Sequence, residues 1–325
     1  MKRFLLLLGV LSLASYIAFR VLSPKKSLPY VDRMIRAARI MERGIVVIRD
    51  YCDRTGIEID EAIDPNRTGL VGPESSGLVT TLGHLEAKRT TTNPDMAGLI
   101  VHLLYQAGVG PGDTVAIGSS ASFPALLVAS LAATKAMDVT PRAIISLGSS
   151  SYGATKTDFH LLDMVQLLLE KGVFDVPPVA VALGGGKDTG VGFEPGLRER
   201  LMAQIAATEY HFIQESDLRK NVALRMGVYS GDYSYSRISA FIHTGGSYAN
   251  MGTSSLVLKV KPGLNTRVSL PPESERGVLF EMAARGIPII HLLYIRGLAV
   301  EYGLPWDPIP LPRPSQPPFY RGQLP

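Results

Sequence analysis

The strongest constraint on this chain is a rhythm. Short apolar runs at 114–117, 143–147, 179–183, 239–243 and 288–292 have strand length, and amphipathic runs at 124–137, 158–171, 195–207, 216–226 and 275–285 have helix length. A further helix opens at Asn93, with Pro94 in its first position and Asp95 at its positive end, and runs to about Ala107. Parallel neighbours need a crossover, and the crossover helix must cover a sheet face, so this alternation predicts an α/β fold. The expected architecture is Rossmann-like, a mainly parallel, doubly wound sheet with helices on both faces. "LVLKVKPGLNTRVSLP" (256–271) breaks the rhythm and is predicted to be a β-hairpin appended to the sheet.

The amino terminus follows other rules. "MKRFLLLLGVLSLASYIAFRVLSPKK" sets an apolar run from Phe4 to Leu22, interrupted by Arg20, behind two basic residues. The run approaches the ~20 residues that span a bilayer, and no small-x-small cleavage site follows it. Residues 1–27 are therefore predicted to be an uncleaved, single-pass anchor in the cell membrane, with a signal-like segment as the alternative. Residues 1–54 hold 11 Lys and Arg against 4 Asp and Glu, while the rest of the chain holds 22 against 25. The net charge of +4 thus belongs to the membrane-proximal end, where it suits an anionic lipid surface. The charges flanking the run leave the side of the membrane open, with a lean towards a cytoplasmic body. No basic, aromatic-interleaved patch points to nucleic acid.

Residues 28–56 read as an amphipathic stalk helix. Val31, Met34, Ala38, Met41, Ile45, Ile48 and Cys52 are spaced three and four apart, and Gly56 closes the run. Cys52, the one cysteine of the chain, then reads as a small core residue, and an internal disulfide is excluded. The α/β domain is expected over 57–303, and 304–325, rich in proline, as an extended tail packed through Trp306 and Phe319.

Small and polar residues follow each of four predicted strands. They are "GSSASFP" at 118–124, "GSSSYGA" at 148–154, "GGGKDTGVGF" at 184–193 and "TGGSYANMG" at 244–252. In an open parallel sheet these carboxyl ends share one edge, where ligands bind at the reversal of strand order. The expected ligand-binding residues are Gly118, Ser119, Ser120, Ser122, Ser149, Ser150, Gly185, Lys187, Asp188, Gly245 and Ser247, joined by Lys88 and Arg89 of "LEAKRTTTNPD". Hydroxyls, backbone N–H groups and helix amino termini favour an anion there.

A catalytic reading is open beside the binding one. Ser120 stands at a strand-to-helix turn, with His243 as candidate base and Asp188 to orient it, but the glycine two positions after Ser120 that a nucleophile elbow needs is missing. The histidines show no HxH or HExxH spacing, so no metal site is expected, and no Walker or dinucleotide fingerprint implies a cofactor.

"DPNRTGLVGPESSGLVTTLGHLEAKRTTTNPDMAGLIVHLL", with "GDTVAIGSSASFPALLVASLAA" and "ISLGSSSYGA", resembles the poly-gamma-glutamate system proteins over roughly residues 60 to 300. The resemblance implies a bacterial protein tied to making or exporting poly-γ-glutamate as a capsule or released polymer, with the polymer synthetase complex as a further partner. It carries over no catalytic residue. Two functions follow as expectations: a membrane-anchored accessory that binds poly-γ-glutamate or another anionic ligand in the serine- and glycine-rich cleft, or a serine-type hydrolase or amidase acting on γ-glutamyl chains.

Overall fold

Two seven-residue strands, β2 (Thr114–Ser120) and β3 (Thr140–Ser146), form the centre of the sheet. The computed structural model describes residues 9, 11–15, 28–231, 235–245, 247–315 and 317–321. Before β2 and β3 lie helix α1 (Val31–Thr55), strand β1 (Val79–Thr81) and helices α2 (Leu85–Thr91) and α3 (Asp95–Gln106). After them come β4 (Ser149–Ser150), β5 (Ala180–Ala182), β6 (His211–Ile213), β7 (Ile238–His243), β8 (Gly263–Asn265) and β9 (Ile289–His291). The remaining helices are α4 (Pro124–Met137), α5 (Leu161–Glu170), α6 (Pro195–Ala206), α7 (Leu218–Ser230), α8 (Tyr248–Met251), α9 (Val278–Ala284) and α10 (Ile295–Tyr302).

Among the described residues, seven strands pair in the order β6-β5-β3-β2-β7-β9-β8, and all pairings are parallel except that of β8 with β9. The chain leaves β2 towards β3 and returns to β7 on its other side, so the order reverses between β2 and β7. Side chains alternate across each strand. Val115, Ile117, Ala143, Ile145 and Ile242 pack with α1, α3, α4 and α5 on one face, while Ala116, Ile144 and Phe241 pack with α7 and α9 on the other. Helices therefore cover both faces, as the sequence rhythm predicts.

Three expectations are refined. The hairpin over 256–271 does not form; its residues give a 3₁₀ turn at Ser255–Lys259 and the single edge strand β8, which pairs antiparallel with β9. Pro262 separates the two apolar stretches and cannot donate to a ladder, which suits an edge position. The helix predicted as a stalk is built into the domain: Met34, Ala38, Met41, Ile45, Ile48 and Cys52 are buried in the common core, against α3 and α4. Burial raises the Cys52 thiol pKa, in keeping with a core residue. The tail is fixed through Phe319 and Tyr320, both buried, while Trp306, expected to pack, is exposed with Arg296 5.7 Å from its ring. The predicted anchor lies outside the described residues but for Gly9 and 11–15, and among the described residues no helix is long and apolar enough to cross a membrane.

Candidate functional site

Register sets the edge. Ser120 is opposite Ser146, Gly118 opposite His243, and His243 opposite His291, so the carboxyl ends of β2, β3, β7 and β9 are level. The four small-residue loops adjoin one another there. Thr244 Oγ1 donates to Ser119 Oγ at 2.8 Å, Ala154 N to Ala121 O at 2.8 Å, and Gly148 N to Leu183 O at 2.7 Å. Two glycines are needed for this closeness. A Cβ on Gly245 would collide with Ser120, and one on Gly118 would come within 2.8 Å of Asn250 Nδ2. The 118–122 loop and Thr244–Gly245 thus meet at the reversal of strand order.

On the face shared with Phe241, this edge carries a buried polar layer. Ser120 is 2% exposed and its Oγ has no hydrogen-bond partner. Asn250, on the short helix that Ser247 caps, is fully buried with both amide atoms unpartnered. Arg225 of α7, also fully buried, pairs with Asp188 and donates from Nη2 to Ser146 Oγ at 3.1 Å, leaving Nη1 unpartnered. Unsatisfied buried donors are costly, about 1–3 kcal/mol each, so a cluster of them marks a place prepared for a hydrogen-bonding ligand.

The expected triad does not assemble. Asp188 receives hydrogen bonds from Ser146, Asn221 Nδ2 (3.1 Å) and Arg225, which hold the 184–193 loop onto α7. The partner of His243 is His291, Nδ1 to Nδ1 at 3.0 Å, with the rings stacked 5° from parallel. One imidazole donates and the other accepts, so the pair fits two neutral rings. Burial drives His243 well below its ordinary pKa, with His291 adding to the shift, and burial brings His291 down to about 4.

The other expected residues divide between exposed, structural and buried positions. Lys187 is exposed on a left-handed backbone, and Gly185 shares that conformation. Ser149 Oγ donates to Ala121 O at 3.1 Å, a bond internal to the loops. Arg89 is committed to Asp307 of the tail in a two-pronged ion pair, Nε to Oδ1 at 2.7 Å, and does not reach the serine loops. Lys88 is buried at 2% exposure beside Ser150 and Ser122, with Nζ 3.7 Å from the centre of the Phe123 ring. Sequence reasoning passed over Ser146, Asn221, Arg225 and Asn250; Asn221 and Arg225 sit inside a helix with no motif around them, while Asn250 lies in the polar stretch 244–252. His291, on an apolar strand, reads as a hydrogen-bonded core residue, and its bond to His243 agrees. Among the described residues no group of three His, Cys, Asp or Glu could hold a metal. Beside the 148–154 loop, whose Gly153 O accepts from Gly72 N at 2.9 Å, Asp60, Gly72, Ser76, Lys156 and Asp158 border a cavity of about 330 Å³.

Comparison with protein-family models, with curated proteins and with solved structures returns no match.

Proposed function

We propose that this protein is a membrane-anchored accessory of poly-γ-glutamate biosynthesis or export, and that it binds a carboxylate-bearing ligand at the reversal of strand order in a Rossmann-like, doubly wound sheet. One observation carries the binding reading: Ser120 Oγ, Asn250 Nδ2 and Arg225 Nη1 are buried, unpartnered donors placed on one face of the sheet at adjoining strand ends. A hydroxyl, an amide N–H and a guanidinium N–H are the donor set a carboxylate accepts from. The polymer assignment rests on the likeness of 60–300 to the poly-gamma-glutamate system proteins, and the anchor on the apolar run at 1–27, which would place the protein at the membrane beside the polymer synthetase. Nothing in this reading calls for a cofactor or nucleic acid.

Titration of the detergent-solubilised full-length protein with a γ-glutamyl oligomer tests it. Binding should weaken by about 1 kcal/mol, roughly fivefold, in Ser120→Ala, the loss of one hydrogen bond. Ser120→Asp should weaken it further, because a like charge then meets the ligand. Equal affinity in all three proteins would reject the site. Hydrolysis through Ser120, His243 and Asp188 is disfavoured by the partners that His243 and Asp188 hold.

A further inference from the structure

The lysine of α2, Lys88, is a buried amine. Among the described residues Lys88 Nζ has no carboxylate partner; it donates to Ser150 Oγ at 2.7 Å and to the backbone carbonyl of Ser122. The Phe123 ring closes its other side. Burial lowers its pKa to about 7, so near neutrality a large share of it is a free amine, which at 2.7 Å can accept from the Ser150 hydroxyl instead of donating to it. Ser150 is fixed in turn: its N–H donates to Ser122 Oγ at 3.0 Å, and β4 pairs with β1. Gly83 leaves room for the arrangement, since a Cβ there would come within 3.1 Å of Ser150 Oγ and 3.2 Å of Lys88 Cε. Its neighbours Leu82 and His84 are exposed, so the serine and lysine lie one layer beneath the surface.

We propose that Ser150 and Lys88 form a serine–lysine catalytic pair that hydrolyses an amide bond, a site separate from the one at Ser120. Serine–lysine pairs are an established variant of nucleophile and base. Ser150 Oγ attacks the amide carbonyl carbon, its proton passes to the neutral Lys88 amine, and an oxyanion forms. The C–N bond then breaks, the Lys88 ammonium protonates the departing amine, and an acyl-Ser150 ester remains. Water, giving its proton to Lys88, hydrolyses that ester to a carboxylic acid and restores Ser150. The balance is amide plus water to acid plus amine, with no other reactant. The positive end of α4, which starts at Pro124 just after Ser122 and Phe123, favours the oxyanion.

The inference is independent of polymer binding, and so is its test. A fluorophosphonate probe applied to the full-length protein, followed by peptide mass spectrometry, should place the adduct on Ser150. Ser150→Ala should abolish labelling and Lys88→Met should slow it about 100-fold or more, the lower range for loss of a general base. The wild-type labelling rate should rise about tenfold per pH unit below about 7 and level off above it, as Lys88 loses its proton. Other ionisable groups on these segments are Glu86 and Arg89 on α2, His84 before it and Tyr152 on the facing loop; Lys88→Arg, which keeps their charges but holds a fixed cation, should lose the pH profile. An adduct on another serine, no adduct at all, or a rate independent of pH would overturn the proposal, even if Lys88→Met fails to fold.

Discussion

His243 and His291 carry the clearest consequence at the scale of single residues. Their folded-state pKa values lie below the unfolded value of ~6.5, His291 at about 4, so folding is weakened by protons. The contribution is full above about pH 6.5 and is lost as the pH falls towards 4, because the unfolded chain binds protons that the folded chain refuses. Asp64 and Asp95 work in the opposite sense, since burial raises both. The wild type should therefore lose stability between pH 6.5 and 4 more steeply than His291→Gln, in which one of the two buried titrations is removed. Thermal melts of both proteins across that range check this; identical slopes would show that the two imidazoles do not share a dry site.

At the scale of elements, one ion pair fastens the glycine loop at 184–193 to α7. Asp188 and Arg225 are both fully buried, and Ser146 and Asn221 each hydrogen-bond to both of them. Removing one member strands the other charge in the core, so Asp188→Ala should cost about 3–5 kcal/mol. Replacing both together, as Asp188→Leu with Arg225→Met, should cost clearly less, because no lone charge remains. Urea denaturation of the two variants decides it; equal losses would mean that the loop, not the charge, is what matters. The sequence made Asp188 visible but not its partner. Strand ends rich in Gly and Ser announce themselves by composition, which is why the level edge of β2, β3, β5 and β7 was legible. The four-residue spacing of Asn221 and Arg225 looks like any solvated helix face, and only the fold brings it under the sheet. The same limit applied to Lys88, expected among the ligand-binding residues: "LEAKRTT" does not itself show that it is a helix with its lysine turned inward. The edge strand β8 was mistaken for half of a hairpin because two short apolar stretches around a proline and glycine fit that pattern as well.

Across the whole molecule, the tail and the first helix brace the domain from outside the sheet. Asp307 holds Arg89, while Ser315 N and Tyr320 OH both donate to Asp95 Oδ1, at 2.9 and 2.8 Å. The carboxyl-terminal segment thereby clamps α2 and α3, the helices that precede the sheet, and α2 is the helix that carries Lys88. The carboxyl edge of the sheet is one place where the polar interior is incomplete, in the unpartnered atoms of Ser120, Asn250 and Arg225. The claim that they await a carboxylate is tested most directly by a crystal structure of the protein with a γ-glutamyl oligomer at saturating concentration. The account predicts a carboxylate within hydrogen-bond distance, about 3 Å, of Ser120 Oγ and Asn250 Nδ2. An ordered oligomer seated instead in the cavity of Asp60 and Lys156, or no ordered oligomer at all, would contradict it.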